Sequence, residues 1–194
     1  DFAPRFFSRS RVFRPMTLVR RVRLLQGSPR IRVVLKPRFD WGQSTPRVTR
    51  GSNHIRFVGE HMTLRLSTDA PVSHVLSGQP YVLTREQSFI LGADETLDHG
   101  IADTARMFEQ ETLDYWRHWS QRLAVPFEWQ QAVIRAAITL KMCAFEETGG
   151  IVAALTTSIP EASGTERNWD YRFCWLRDAF FTVHALNRLG ATKT

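Results

Sequence analysis

The residues best suited to chemistry lie between Asn168 and Phe181, in the run NWDYRFCWLRDAFF. It holds two arginines, Arg172 and Arg177, two aspartates, Asp170 and Asp178, and a dense set of aromatic side chains, with no glycine or proline. Arginine presents a planar fork of donors, and aspartate at neutral pH presents only acceptors. Together they can grip a neutral, polyhydroxylated ligand, because each hydroxyl both donates and accepts. The flat faces of Trp169, Tyr171 and Trp175 can cover the C–H surface of such a ligand and exclude water. The same residues serve equally well as a partly buried ion pair, Arg177–Asp178 or Arg172–Asp170, bracing a helix start. Residue types alone leave these two readings level.

Other chemistries find little support. There is no G-x-S-x-G, no G-x-G-x-x-G after a strand, no P-loop and no H-E-x-x-H. The histidines are scattered, so neither a metal site nor a cofactor is expected. Glu146 and Glu147 are adjacent carboxylates, but neighbours on a helix point about 100° apart and do not share a site. They read as a helix end. Cys143 and Cys174 fit no zinc-ligand or C-x-x-C spacing. Both sit among apolar residues and are expected to be buried free thiols, which leans towards a reducing, cytoplasmic setting.

The elements that would position the run change character along the chain. From Leu18 to about Leu91 the apolar residues alternate, in LVRRVRL, RIRVVLK, HIRFV, MTLRL, PVSHVL, PYVLT and SFIL, with Gly, Pro and Asn between them. Six or seven short strands so punctuated predict an antiparallel β-sandwich. After Gly92 the period becomes helical. Residues 103–123 predict a helix with Asp103 as N-cap and an apolar stripe of Met107, Leu113, Trp116, Trp119 and Leu123. Pro126 breaks the chain, and residues 127–148 predict a second helix, apolar over most of its circumference and stopped by Gly149-Gly150. Such a helix needs other helices to cover it. Residues 151–157 are expected to be extended, 158–168 a loop, and 177–189 a third helix closed by Gly190. The class is α+β and multidomain, the change from all-β to all-α placing a domain boundary at ~95.

Composition narrows the partners. At 43% hydrophobic and 11% aromatic the chain has material for a packed core. No run approaches the ~20 apolar residues of a membrane span, and residues 1–25 are too rich in arginine for a secretory leader. The net charge of +7 is concentrated in residues 1–60, with 14 Lys/Arg against 3 Asp/Glu. A nucleic-acid arm would explain that excess. However, the arginines of RRVRL and RIRVVLK alternate with apolar residues, as on the wet face of a half-buried strand. No nucleic-acid or membrane partner is therefore expected, and nothing in the sequence speaks to oligomeric state.

In order and spacing, IVAALTTSIPE followed by RNWDYRFCWLRDAFFTVHALNRLG resembles bacterial glycoside hydrolase family 15, the glucoamylase and trehalase-like enzymes. The resemblance lies in T-T-S-x-P-E, N-W-D-Y-R and W-L-R-D. DFAPR, LVRRV and KPRFDWG look like the family's N-terminal sandwich, and YWRHW like its interdomain helix. Two positions depart from the family pattern, Leu155 where proline is usual and Phe180 where a small residue is usual; both are changes of packing. The resemblance implies a β-sandwich over 1–95, a linker helix over 96–125 and the first helices of an (α/α)6 barrel over 126–194, in an enzyme that hydrolyses α-glucosidic bonds with inversion. It implies that Arg177 and Asp178 bind sugar hydroxyls and that Trp175 and Tyr171 line the pocket, with Asp170 a further member or a brace. Inversion needs two carboxyl groups about 6.5–9.5 Å apart, and the resemblance places both beyond Thr194. The expectation is thus an internal fragment of an inverting α-glucosidase, acting in its intact form on maltodextrin, trehalose or a similar α-glucoside. It would carry part of the glucose pocket and no catalytic residue. The competing reading is a non-catalytic, carbohydrate-binding or structural remnant of such an enzyme.

Overall fold

A computed structural model describes residues 1–156 and 159–191. The chain divides into two compact units, Asp1–Tyr115 and Trp116–Thr194.

The first unit is built on a five-stranded antiparallel sheet. Its strands are β3 (Leu18–Val22), β5 (Arg47–Arg50), β6 (His54–Val58), β7 (Thr63–Thr68) and β9 (Gln87–Ala93), in the order β3-β9-β7-β6-β5. Two short ribbons accompany it, β1 (Phe6–Ser8) with β2 (Arg11–Phe13), and β4 (Arg30–Ile31) with β8 (Tyr81–Val82). The sheet has a core on each face because β9 is apolar on both. Phe89 and Leu91 join Ile55, Phe57, Leu66, Val75 and Tyr81 on one side. Ile90 meets Val19, its cross-strand partner, and Ile101 and Ala105 of the long helix α2 (Ile101–Gln121) on the other.

Antiparallel pairing follows the alternation, with two corrections. Only Arg30 and Ile31 of RIRVVLK pair in a ladder, although Ile31, Val33 and Leu35 do turn alternately into the core. The alternation reports burial and says nothing of a pairing partner. PVSHVL is not a strand: Val72–Ser77 forms a short helix, α1, entered at Pro71 and closed by Gly78 at φ +63°. Val72 and Val75 bury one face at a spacing of three, and six residues are too few to separate periods of 2 and 3.6.

The helix expected over 103–123 starts two residues earlier. The Thr104 N–H donates to Gly100 O at 2.8 Å, so Asp103 lies in the first turn, exposed and paired with Arg106, and is not the cap. The buried face is also offset. Ile101, Thr104, Ala105, Thr112 and Tyr115 are buried, whereas Met107 and Leu113 are each 42% exposed. Ala105, fully buried against Val19 and Ile90, lets the helix approach the sheet closely there, while Met107 and Leu113 turn outward.

Part of the positive charge is paired within this unit. Arg21 joins Glu86 and Glu109, Arg23 reaches Glu109 at 2.6 Å, and Arg20 reaches Asp1 at 2.6 Å. Arg56 and Arg65 flank Asp94, and the hydrogen bond from Arg56 holds that carboxyl below its ordinary range.

In the second unit the helix expected over 127–148 is shorter. It runs as α3 (Gln130–Met142), after which β10 (Ala144–Phe145) turns back on β11 (Gly150–Ile151) through Gly149 at φ +70°. The last helix is α4 (Leu176–Arg188). Gly190, at φ +73°, closes it as expected: its N–H donates to Asn187 O, and that of Ala191 to Leu186 O, both at 3.0 Å. Leu123, Ala137 and Leu186 form a small core with Trp119, Leu140 and Leu189 around them. Lys141 is 98% buried and donates to Glu146 Oε1 at 2.9 Å. Glu146 is thus the partner of a buried ammonium rather than a helix end. Cys143 is buried as expected, but Cys174 is exposed. Among the described residues, no helix is long and apolar enough to cross a membrane.

Candidate functional site

The run NWDYRFCWLRDAFF is held in place from both ends. Upstream, the Ala153 and Ala154 N–H groups donate to Phe173 O and Tyr171 O at 3.2 and 3.3 Å, so the extended segment after β11 forms a template for 171–173. Within the preceding loop, Asn168 acts as a clasp. Its Oδ1 accepts from the Ala162 N–H at 3.3 Å, and its Nδ2 donates to Ala162 O and Thr165 O at 3.1 and 2.8 Å. Thr157 and Ser158 of T-T-S-x-P-E lie outside the described residues. Downstream, the chain enters α4 at Trp175, which has extended φ/ψ and no side-chain cap. Asp178 falls in the first turn, where a negative charge faces the positive end of the helix dipole.

Asp170 is engaged on both oxygens. Arg172 donates from Nε at 2.9 Å to Oδ1 and from its terminal nitrogen at 2.5 Å to Oδ2, and the Arg172 backbone N–H reaches Oδ1 at 3.0 Å. These hydrogen bonds hold the carboxyl at about 2, well below its ordinary value of 3.8. Trp175 Nε1 donates to Asp170 O at 3.1 Å, and the Tyr171 and Trp175 rings lie 6.1 Å apart at 36°. Asp170, Tyr171 and Trp175 therefore form one cluster, each half-buried. The Arg172–Asp170 pair has the geometry of a brace.

Arg177 and Asp178 differ from that pair. A single contact of 3.2 Å joins them, and the Arg177 side chain is 72% exposed. An exposed pair of this kind contributes about 0–1 kcal/mol to stability, so bracing does not account well for it. It leaves a fork of donors and a half-buried acceptor at the start of α4. Asp178 also lies close enough to Tyr171 for its charge to act on the phenol. Trp169 is half exposed. Leu155 and Phe180, the two departures from the family pattern, are exposed, and Phe180 stacks on His184 at 5.9 Å.

One residue of this neighbourhood escaped the sequence reading. Glu161, the last residue of T-T-S-x-P-E, accepts the Tyr171 hydroxyl on Oε2 and meets Arg167 at 3.4 Å on Oε1. That hydrogen bond, with burial and the charge itself, pushes the Tyr171 phenol above its ordinary value. The motif places Glu161 in the sequence, but nothing in the spacing couples it to a tyrosine ten positions on. Among the described residues, no group of three His, Cys, Asp or Glu is placed to hold a metal ion.

Comparison with known proteins bears on the same region. Residues 129–194 match the family described as Glycosyl hydrolases family 15. The chain is 34% identical over 170 residues to a trehalase of Thermoplasma volcanium, covering 82% of this chain and 26% of that protein. It is 33% identical over 172 residues to a trehalase of Thermoplasma acidophilum, covering 83% of this chain and 29% of that protein. To a trehalase of Mycolicibacterium smegmatis it is 32% identical over 193 residues, covering 91% and 28% respectively. The chain thus spans between a quarter and a third of the length of these relatives. No solved structure matches it.

Proposed function

We propose, on the premise that residues 129–194 are a glycosyl hydrolase family 15 segment in a trehalase-like chain, that the intact protein hydrolyses an α-glucosidic bond with inversion. Trehalose is the first substrate to test, and maltodextrin the second. In this reading α3 and α4 are the first helices of an (α/α)6 barrel, preceded by a β-domain over 1–95 and a linker over 96–125. Arg177 donates to hydroxyls of the bound glucose, Asp178 accepts from them, and Trp175 and Tyr171 cover its C–H face. Asp170 orients the cluster from behind. The acid and base of an inverting reaction, about 6.5–9.5 Å apart with water between them, come from parts of the longer protein outside this chain.

The observation that carries the proposal is the contrast between the two ion pairs. Asp170 is engaged by Arg172 on both oxygens, whereas Arg177–Asp178 shares a single contact and presents donors and an acceptor beside an aromatic pair. The exposed faces of Leu176, Phe180 and Phe181 accord with a helix, α4, made to be covered by further ones. The test is glucose release from trehalose and maltodextrin by the full reading frame. Arg177→Ala should lower kcat/KM by about 10- to 150-fold, the equivalent of a charged hydrogen bond of ~1.5–3 kcal/mol. Unchanged kcat/KM would remove Arg177 from the pocket, and absence of glucose release from any α-glucoside would favour a non-catalytic remnant.

A further inference from the structure

We propose that Glu161 is a positioning residue for the sugar site, acting through Tyr171; the inference rests on the function proposed above. The Tyr171 hydroxyl proton is committed to Glu161 Oε2, while Arg167 at 3.4 Å draws on the other carboxylate oxygen. Two consequences follow from the chemistry. The ring is pinned at its far end, with Trp175 beside it at 6.1 Å and its own carbonyl held by the Ala154 N–H. Also, with its proton spent, the phenol oxygen has only lone pairs left to offer, so any hydroxyl it meets must be the donor.

That changes the pattern the site presents to a ligand. Arg177 can only donate, Asp178 can only accept, and Tyr171 becomes a second acceptor instead of an ambivalent hydroxyl. A sugar hydroxyl that accepts from Arg177 retains its own proton for Asp178 or Tyr171. A ligand group lacking that proton, such as a methoxy in place of the hydroxyl, would meet Tyr171 with lone pair against lone pair. Glu161 therefore helps select a free hydroxyl at one position of the glucose ring. The Asn168 clasp on Ala162 and Thr165 sets the turn that delivers Glu161 to this place.

Two readouts test the inference, one independent of activity. Spectrophotometric titration of the chain, with Tyr171→Phe subtracted to isolate this phenol from Tyr81 and Tyr115, should show Tyr171 titrating at lower pH in Glu161→Ala than in the wild type. Glu161→Gln, which keeps an acceptor but not the charge, should fall between. In the full-length enzyme Glu161→Ala should lower kcat/KM by about tenfold, with Glu161→Gln recovering part of it. Within a Tyr171→Phe background the same substitution should have no further effect, because both residues act through one group. An unmoved Tyr171 titration overturns the contact whether or not the protein is a glucosidase. A shifted titration with unchanged kcat/KM, or equal losses with and without the Tyr171 hydroxyl, overturns the positioning role. Arg177→Ala would then still decide the glucosidase reading by itself.

Discussion

Breaking the Lys141–Glu146 pair should cost very different amounts depending on which partner is removed. Lys141 is 2% exposed and Glu146 23%, with Nζ and Oε1 at 2.9 Å. Removal of Glu146 by Glu146→Ala strands an ammonium that water cannot reach, and breaking a buried pair in this way costs about 3–5 kcal/mol. Lys141→Met keeps most of the buried stem and loses one charge-assisted hydrogen bond. The Glu146 side chain it leaves behind is 23% exposed, against 2% for Lys141, so the cost should be about 1–2 kcal/mol. The expected asymmetry is therefore about 2 kcal/mol, against a total stability of about 5–15 kcal/mol for a typical domain. Urea unfolding followed by tryptophan fluorescence reports on the correct unit, because five of the six tryptophans lie in Trp116–Thr194. With a slope of about 1 kcal/mol/M for so small a unit, Glu146→Ala should lose its folded baseline, whereas Lys141→Met should shift the midpoint by 1–2 M. If Lys141→Met proved as damaging as Glu146→Ala, depth of burial would not be what sets the cost, and the reasoning would fail.

The remaining predictions concern the candidate site and the thiols. Asp170 is held at about 2 against 3.8 ordinarily, so the unfolded state binds the extra proton between those values. The stabilisation from Arg172 is then complete above the ordinary value and lost as pH falls through about 2. The difference in urea midpoint between wild type and Asp170→Asn should be constant near neutrality and vanish at the acid end; a difference that grew on acidification would contradict the assignment. Cys174 is exposed, while Cys143 is buried with its thiol pushed up by desolvation. A chromogenic disulfide reagent should accordingly titrate one thiol promptly in the native chain and two in denaturant. Two prompt thiols would mean that the core around Cys143 is open.

Legibility from sequence differed by the range of the interaction concerned. Alternation was enough for the antiparallel strands, because side-chain direction in a strand depends only on position along it. It failed at Val72–Ser77, where six residues suit either period, and at Val33 and Leu35, which alternate into the core without a strand beside them. The expected stripe held at its far end, where Leu123 is buried with Trp119 against it, and failed at Met107 and Leu113, where Ala105 and Thr112 are the buried residues instead. Arg177 and Asp178 stood out because they are neighbours in sequence. Glu161 and Lys141 did not, since each acquires its meaning from a partner across a loop or turn, and one sequence carries no record of such pairing. Cys174 was misjudged for a related reason: apolar neighbours along the chain are not apolar neighbours in space.

The order of strands in the first unit has a consequence in time. Strands β5, β6 and β7 form a meander of near neighbours, with Arg50 opposite Ile55 and Val58 opposite Thr63, and such hairpins close in microseconds. β3 has only an isolated bridge from Phe2 to Val19 until β9 exists, since its ladder pairs Val22 with Gln87 and Leu18 with Leu91. The loop that must close to join them is about 65 residues long, and its entropy has to be met before either core is complete. On a ribosome adding about 5–20 residues per second, β3 would wait for several seconds with only Phe2 against Val19. Arg20, Arg21 and Arg23 surround that valine with like charge throughout the interval. Like charge on an exposed strand edge opposes pairing with a second copy, and Glu86 and Glu109 neutralise Arg21 and Arg23 once they arrive.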